Sequence, residues 1–439
     1  MGYAMLDLPQ TAAALRSGTL PLADFLEDVR RRLEAHDPDI VAMLPEAQRF
    51  ARLDKEAKTL AARHPAPADR PALFGIPVAV KDIIHVQGFP TKAGSSLPPA
   101  ALAGEEGPVM RRLRRAGALV LGKSHTTEFA SVNPAPTHNP HNLAHTPGGS
   151  SSGSAAAVAA GFSPLGIGTQ TMGSVVRPAA YCGVTGFKPS QGRVPTDGII
   201  PFSKNVDQVG FFTASVAGAQ LAGAVFCDSL GAVPVPAHPG RLLVPEGPLL
   251  QAVEQDALRL FRITLQDLRA QGWDIATAPC LDDLERIRAL HMAFTAAEMA
   301  AAHAAWYPRY RDLYGARTRA VIEAGQHVSP AQMGQAAASM AALRARLGDA
   351  LAELACDAFV CPSATGTAPL GLSSTGDPIM NLPWTHAGLP VVSLPAGRCE
   401  GLPLGLQVIG RFGGDEALLG LCGALEKSLA ASDSGPTGS

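Results

Sequence analysis

Two serine residues, Ser150 and Ser174, each lie in a glycine-rich stretch, and this pair constrains the fold most strongly. The first stretch, residues 147–154, leads directly into a run of alanines that strongly favours a helix. The second stretch, residues 168–174, contains mostly small residues. A Gly/Ser turn that opens a helix presents unpaired backbone N–H groups, which can stabilise a developing negative charge. We therefore predict tight, built turns in both stretches rather than a flexible linker.

An apolar run upstream, residues 75–80, ends at Lys81 and predicts a short buried strand with an amine at its carboxyl end. A serine hydroxyl is a weak nucleophile until a base takes its proton. The chain has twelve histidines, and none lies in a recognisable catalytic motif. Lys81 considered alone would be a solvated strand end. Together with Ser150 and Ser174 it offers a base, a relay hydroxyl and a nucleophile, which predicts acyl transfer and therefore a hydrolase.

Helical and extended patterns alternate along most of the chain and predict an α/β sandwich. Residues from about 252 to 355 are rich in Ala, Arg and Leu and are predicted to be mostly helical. We interpret them as a helical excursion from one domain spanning 1–439, which either covers the substrate or adds scaffold. The other predicted helices are 22–35, 108–116, 155–160 and one after Asp415, and the predicted strands are 75–80, 118–121, 242–244, 358–361, 391–394 and 406–409.

Composition and charge exclude several classes of partner. Hydrophobic residues make up 46% of the chain, which allows a large core, and the net charge of -2 gives no reason to expect nucleic acid or an anionic membrane. No signal peptide is recognisable, and the most apolar stretch, residues 211–226, is too short and mixed to span a bilayer. Seven scattered cysteines predict reduced thiols and a cytoplasmic protein. Residues 432–439 are predicted to be a disordered tail.

Other motifs near the first serine stretch are coincidental. His138, His141 and His145 lie in a proline-rich loop, so their helical spacing does not predict a metal site. Residues 149–153 match the letters G-x-S-x-G, but a turn precedes them instead of the strand that a nucleophile elbow needs. No Lys-Ser/Thr follows the glycines as a phosphate-binding loop would require. We therefore expect neither a metal nor an organic cofactor.

The chain resembles the amidase signature family of Ser–Ser–Lys hydrolases along almost its whole length. The resemblance rests on the segment 75–82 with Lys81, the segments 121–123 and 127–130, the long stretch 148–189 within a signature core of 75–190, and the C-terminal segments 388–390 and 405–411. It implies an α/β/α sandwich around a mixed sheet. By motif position it implies Ser174 as the nucleophile, Ser150 as the relay and Lys81 as the base. It also implies a cis peptide bond between Gly149 and Ser150.

The implied chemistry is physically consistent. Lys81 must be neutral to accept a proton, so its pKa must fall from about 10.4 toward neutrality, which burial favours. Backbone N–H groups of Thr171, Met172, Gly173 and Ser174 are expected to form the oxyanion hole. The acyl-enzyme would then be hydrolysed along the same proton path.

Three positions depart from the commonest signature of the family. Gln170, Met172 and Val176 stand where that signature has Asp, Gly and Arg. If the missing acid and base normally pair, losing both avoids a buried unpaired charge, and Arg177 could compensate for the missing base. The side chain of Met172 is expected to fill part of the acyl pocket.

These observations favour a free-standing hydrolase of aryl or alkyl amides or of carbamates, acting as a urethanase in the last case. The alternative is the glutaminase subunit of a tRNA-dependent amidotransferase, which would normally keep the three missing residues. An inactive binding protein is disfavoured because all three catalytic positions are intact. Tyr307, Tyr310 and Trp384 are candidates for an apolar substrate pocket, with ordinary core as their other interpretation. We expect a small-molecule amide or carbamate as the only partner of a monomer or homodimer.

Overall fold

A ten-stranded mixed β-sheet runs through the computed structural model, which describes residues 3–236 and 239–433. The strands are β1 (Pro77–Lys81), β2 (Leu119–Ser124), β3 (Leu165–Gln170), β4 (Thr185–Lys188), β5 (Gln208–Thr213), β6 (Arg241–Glu246), β7 (Asp274–Pro279), β8 (Ala358–Pro362), β9 (Val391–Cys399) and β10 (Leu402–Ile409). Their order across the sheet is β2-β1-β3-β5-β4-β9-β10-β8-β6-β7. Strand β1 pairs in parallel with β2 and β3, whereas β3, β5, β4, β9, β10 and β8 pair in an antiparallel manner.

Helices flank this sheet, so the predicted α/β fold with a central mixed sheet is confirmed. They are α1 (Leu8–Ser17), α2 (Leu22–Ile40), α3 (Arg49–Arg63), α4 (Pro108–Arg115), α5 (Ser152–Ala159), α6 (Val176–Cys182), α7 (Val216–Phe226), α8 (Pro248–Gln251), α9 (Gln255–Ala270), α10 (Leu284–Ala302), α11 (Tyr307–Tyr310), α12 (Ala316–Gln326), α13 (Pro330–Glu353), α14 (Leu382–His386) and α15 (Asp415–Asp433).

The first half of the sheet determines where the two serine stretches lie. Strands β1 and β3 run parallel in direct contact, so their carboxyl ends meet at the same edge of the sheet. Helix α5 follows the first serine stretch and packs on both strands, and helix α6 follows the second. Every residue of α5 and α6 is buried, which agrees with their small and apolar composition on all sides.

The region predicted as mostly helical, residues 252–355, is only partly an excursion. Helix α9 and strand β7 continue β6 as a parallel β–α–β unit at the edge of the sheet, so they belong to the core. The prediction missed β7 because alternating exposed and buried positions at an edge strand look polar. The excursion itself comprises α10 to α13, and α10 packs against α12, α13 and α14.

Glu128 attaches this excursion to the core of the protein. Its carboxylate accepts hydrogen bonds from the Gly315 amide at 3.0 Å and from the Thr318 hydroxyl at 2.5 Å. The neighbouring Phe129 ring stacks on Tyr314 at 5.2 Å between centroids. The excursion is therefore held against the segment that follows β2.

The C-terminal prediction can be compared only in part. Helix α15 continues to Asp433, so residues 432 and 433 belong to a helix, and the remaining residues of the predicted tail lie outside the described ones. Within residues 3–236 and 239–433, no helix is long and apolar enough to cross a membrane. All seven cysteines are free thiols.

Candidate active site

Lys81 is completely buried at the carboxyl end of β1 and points at the first serine stretch. Its Nζ lies 2.7 Å from Ser150 Oγ, 2.8 Å from Thr169 Oγ1 and 3.4 Å from the Thr169 carbonyl oxygen. Burial lowers the pKa of Lys81 to about 7, against the opposing charge of Asp207. A neutral amine has two N–H donors and one lone pair. Because Thr169 provides two acceptors, the lone pair is left for the hydroxyl of Ser150.

Ser150 is distinguished from the other serines of its stretch by what its hydroxyl contacts. The peptide bond between Gly149 and Ser150 is cis, as expected from the family resemblance. Ser151 and Ser152 donate instead to the carbonyl oxygens of Thr169, at 3.2 Å, and Gly148, at 2.7 Å. These hydroxyls hold the turn in shape, and the hydroxyl of Ser150 is the one directed at the amine.

Ser174 lies in the turn between β3 and α6 and is 7% exposed. Ser150 and Ser174 border one cavity of about 180 Å³. The structure therefore brings Lys81, Ser150 and Ser174 together as the sequence predicted. The other residues that line this cavity are Ala130, Ser131, Val132, Thr171, Met172, Arg177, Phe202, Arg317, Ser374, Thr375, Gly376 and Pro378.

The turn before Ser174 presents free backbone donors. The amides of Met172, Gly173 and Ser174 donate to no group among the described residues. The carbonyl oxygen of Met172 accepts a hydrogen bond from Thr385 Oγ1 at 2.8 Å. Gly173 has no room for a side chain, because a Cβ there would lie 2.4 Å from Asn381 Oδ1. Such a turn can direct several N–H groups at an oxygen atom next to Ser174.

Asp207 completes the electrostatics of the site and was missed by the sequence analysis. It precedes β5, which pairs with β3, and it accepts hydrogen bonds from the Thr171 hydroxyl and from the amide of Phe202 at 2.8 Å. Burial raises the pKa of Asp207 to about 6. Its negative charge favours the ammonium form of Lys81. Recognition of β5 as a partner of β3 would have placed Asp207 beside the site.

Gln170 explains how this chain tolerates its departures from the family signature. Its side-chain oxygen accepts from the amides of Val175, at 2.8 Å, and Val176, at 3.0 Å, where α6 begins. Its NH2 group donates to Thr385 Oγ1 at 2.8 Å. Val176 is completely buried among apolar side chains. A neutral amide therefore caps the start of α6 without the ion pair that an Asp and an Arg could form.

Arg177 connects the two serine stretches. Its guanidinium group donates to the carbonyl oxygen of Gly149 at 2.8 Å and to that of Thr375 at 2.7 Å. Burial lowers its pKa, and the charges of Tyr181 and Asp377 oppose that effect. Arg177 thus follows Ser174 along the chain and holds the residue before Ser150.

The three aromatic residues considered for a substrate pocket lie elsewhere among the described residues. Tyr307 donates its hydroxyl to Glu323 at 2.7 Å, and Tyr310 packs beside Arg309. Trp384 is completely buried and donates to the Met380 carbonyl oxygen at 2.8 Å. None of the three lines the cavity at Ser174, because their rings pack within the excursion and the core.

The three histidines before the first serine stretch bond to the backbone. His141 Nε2 contacts the Cys182 carbonyl oxygen at 2.9 Å, and His145 Nδ1 contacts that of Ala368 at 2.7 Å. His138 Nδ1 contacts the Leu143 carbonyl oxygen in the same manner. The part of the chain that the structure describes contains no cluster of His, Cys, Asp and Glu suited to a metal ion.

Known proteins resemble this chain along almost its whole length. A family model described as Amidase matches residues 24–419. One relative is the amidase-like subunit of the glutamyl-tRNA(Gln) amidotransferase of Synechococcus sp. (strain WH7803), which is 32% identical over 94% of this chain and 95% of the relative. The corresponding protein of Anaeromyxobacter dehalogenans (strain 2CP-C) is 31% identical, over 97% of this chain and 96% of the relative.

Solved structures give the same result. A crystal structure of an amidase superposes with a TM-score of 0.88 at 30% identity, covering 97% of this chain and 100% of that chain. The native peptide amidase of Stenotrophomonas maltophilia superposes with a TM-score of 0.81 at 25% identity, covering 98% of each chain.

Proposed function

This chain belongs to the amidase family, and on that premise we propose that it hydrolyses a carbon–nitrogen bond of a small amide or carbamate through Ser174, Ser150 and Lys81. One observation carries the proposal. The buried amine of Lys81 lies 2.7 Å from Ser150 Oγ, and Ser150 shares a cavity with Ser174. With a pKa of about 7, the amine is available as a base near neutral pH.

The proposed reaction passes through an acyl-enzyme. Ser174 Oγ attacks the carbonyl carbon while its proton moves to Ser150, whose own proton moves to Lys81 Nζ. The backbone amides of the turn stabilise the oxyanion. The ammonium of Lys81 then returns its proton through Ser150 to the leaving nitrogen as the C–N bond breaks. Water attacks the acyl-enzyme along the same proton path, which releases the acid and restores Ser174.

The charges around the cavity favour a substrate with an oxygen acceptor, and in particular a carboxylate, beyond the scissile bond. Arg177 and Arg317 both line the cavity, and its lining residues in the described chain include no Asp or Glu. Asp377, beside the lining residue Pro378, accepts from its own backbone neighbour at Ile379. The volume of about 180 Å³ suits a small molecule rather than a polypeptide.

Hydrolysis of a substrate panel tests this function. The panel contains a p-nitroanilide, a primary aromatic amide, an aryl carbamate and glutamine, together with the monoamide of a dicarboxylic acid and its methyl ester. We expect turnover of at least one amide or carbamate, lost in Ser174→Ala and retained in Ser215→Ala, which removes only the hydroxyl that caps α7. We also expect the free acid to be preferred to its methyl ester. Hydrolysis that survives Ser174→Ala would refute the proposal.

The second candidate is the glutaminase component of a tRNA-dependent amidotransferase. It is supported by identities of 31–32% with proteins of glutamyl-tRNA(Gln) amidotransferases over most of both chains. Gln170, Met172 and Val176 count against it because this role would normally keep Asp, Gly and Arg at these positions. Hydrolysis of glutamine alone, or activity only after a partner protein is added, would favour this candidate.

A further inference from the structure

A buried histidine from the excursion holds the turn that precedes Ser174. His291 lies in α10, and its Nε2 is 2.9 Å from the carbonyl oxygen of Thr171. The His291 side chain is completely buried, so this contact replaces water for both groups. Residue 291 is 120 positions from residue 171 along the chain. The contact therefore connects the excursion directly to the proposed oxyanion turn.

The hydrogen bonds around His291 allow only one arrangement of protons. The Thr171 carbonyl oxygen can only accept, so Nε2 of His291 must carry the proton. Nδ1 of the neutral ring is then an acceptor, and it lies 3.2 Å from Nδ1 of His386, which must donate. Nε2 of His386 is left as an acceptor for the hydroxyl of Ser339 at 3.2 Å. The chain of donors thus runs from Ser339 through both rings to Thr171.

Both rings are neutral in this arrangement. Burial lowers the pKa of His291 to about 3 and that of His386 to about 4. The neighbouring His386 lowers the pKa of His291 further, the Thr171 carbonyl group opposes that, and the charge of Asp283 raises the pKa of His386. The directional chain of hydrogen bonds is therefore intact at neutral pH.

We propose that His291 is a positioning residue, kept in one tautomer by His386, which orients the Thr171–Met172 peptide so that the Met172 N–H faces the oxyanion. A trans peptide is planar, and its C=O and N–H point in opposite directions. A carbonyl group of Thr171 held toward His291 therefore turns the Met172 N–H away from His291. Thr385 acts similarly on the next peptide through the Met172 carbonyl group. The inference rests on the proposed function, because it concerns the same nucleophile.

This proposal gives the excursion a role beyond covering the substrate. Helix α10 provides His291 behind the turn, and α12 provides Arg317 to the cavity lining. His386 comes from α14, so α10 and α14 together support the turn from the side opposite the cavity.

Kinetics of paired variants test the donor role. His291→Leu removes the donor at similar volume, whereas His291→Gln keeps an N–H group near the position of Nε2. We expect kcat to fall about 10- to 100-fold in His291→Leu with KM nearly unchanged, since loss of one oxyanion-hole donor costs about 100- to 1,000-fold. His291→Gln should recover most of kcat. Equal kcat values in His291→Leu and wild type, or an equal loss in His291→Gln and His291→Leu, would overturn the proposal.

A double-mutant cycle tests the role of His386. His386→Leu should lower kcat in the wild-type background, because either tautomer of His291 then becomes available. It should have little further effect in His291→Gln, whose donor does not depend on a tautomer. Additive losses would overturn the tautomer argument.

Long-range ¹H–¹⁵N NMR of the histidine rings gives a readout that needs neither activity nor a buried variant. We expect His291 protonated at Nε2 and His386 at Nδ1 at pH 7. The opposite tautomers would overturn the inference even if Ser174-dependent hydrolysis is found. Absence of Ser174-dependent hydrolysis in the wild type would instead refute the proposed function, so the two failures are distinguishable.

Discussion

Replacement of the buried base should make the protein inactive and, near neutral pH, more stable. Lys81→Met keeps the length of the side chain and removes the amine. Burial lowers the pKa of Lys81 from 10.5 to about 7, which corresponds to about 5 kcal/mol of destabilisation of the folded state below pH 7. The lost contacts with Ser150 and Thr169 offset part of this at about 1 kcal/mol each. A net gain of about 2–3 kcal/mol at pH 7 is therefore expected.

The sign of the pH dependence follows from proton linkage. Between pH 7 and 10.5 the folded protein holds a neutral amine while the unfolded chain holds an ammonium. Unfolding therefore takes up a proton, and the stability of the wild type rises with pH in that window. The advantage of Lys81→Met should shrink by about 1.4 kcal/mol per pH unit over the same window.

Denaturant unfolding of both proteins at pH 7, 8 and 9 measures this difference. The activity of the wild type should rise about tenfold per pH unit below pH 7 and level off above it, because the neutral amine is the base. Lys188→Met is the control, since Lys188 is equally buried with a pKa lowered to about 7 but donates to the carbonyl oxygen of Leu389 away from the cavity. This variant should keep the same activity profile. A Lys81→Met variant whose stability difference from wild type does not change with pH would refute the reasoning.

Three further variants follow from the geometry. Asp207→Asn removes the charge that raises the pKa of Lys81, so the acidic limb of the activity profile should move to lower pH, as a pH series of kcat/KM would show; a limb that stays or moves up would contradict this. Met172→Gly should enlarge the cavity and lower KM for substrates with bulkier acyl groups, measured with acetyl and benzoyl amides; unchanged selectivity would exclude Met172 from the acyl pocket. Gln170→Leu leaves the amides of Val175 and Val176 unpaired, so it should lower stability by about 1–3 kcal/mol in denaturant unfolding, and a neutral effect would contradict the capping role.

Local sequence patterns predicted the parts of the site that local physics determines. An apolar run that ends at Lys81 becomes a buried strand because its side chains have no other way to leave water. The family motif singled out Ser150 from several adjacent serines, which residue chemistry alone could not do. The structure supplies the physical reason, since Ser151 and Ser152 donate to backbone carbonyl groups while Ser150 faces the amine.

Long-range pairing produced the residues that the sequence did not reveal. Asp207 reaches the site because β5 pairs with β3, and a fully buried strand such as β5 lacks the alternation that would identify it. His291 reaches the same turn from a helix of the excursion. Such contacts depend on the packing of distant elements rather than on any local pattern.

The aromatic residues show the opposite limit of composition-based prediction. Tyr307 packs edge-on against Tyr314, which stacks on Phe129, so these rings stabilise the junction of the excursion with the core. Aromatic side chains bury large areas wherever they lie, and an aromatic-rich segment therefore predicts packing at least as strongly as substrate binding.

Covalent trapping of the acyl-enzyme tests the central claim most directly. The protein is mixed with a slowly deacylating aryl carbamate, and the intact mass and proteolytic peptides are then measured. The account predicts one acyl group per chain, on Ser174, formed far more slowly in Lys81→Met and not at all in Ser174→Ala. Acylation of another residue, or turnover of the carbamate without any adduct on Ser174, would contradict it.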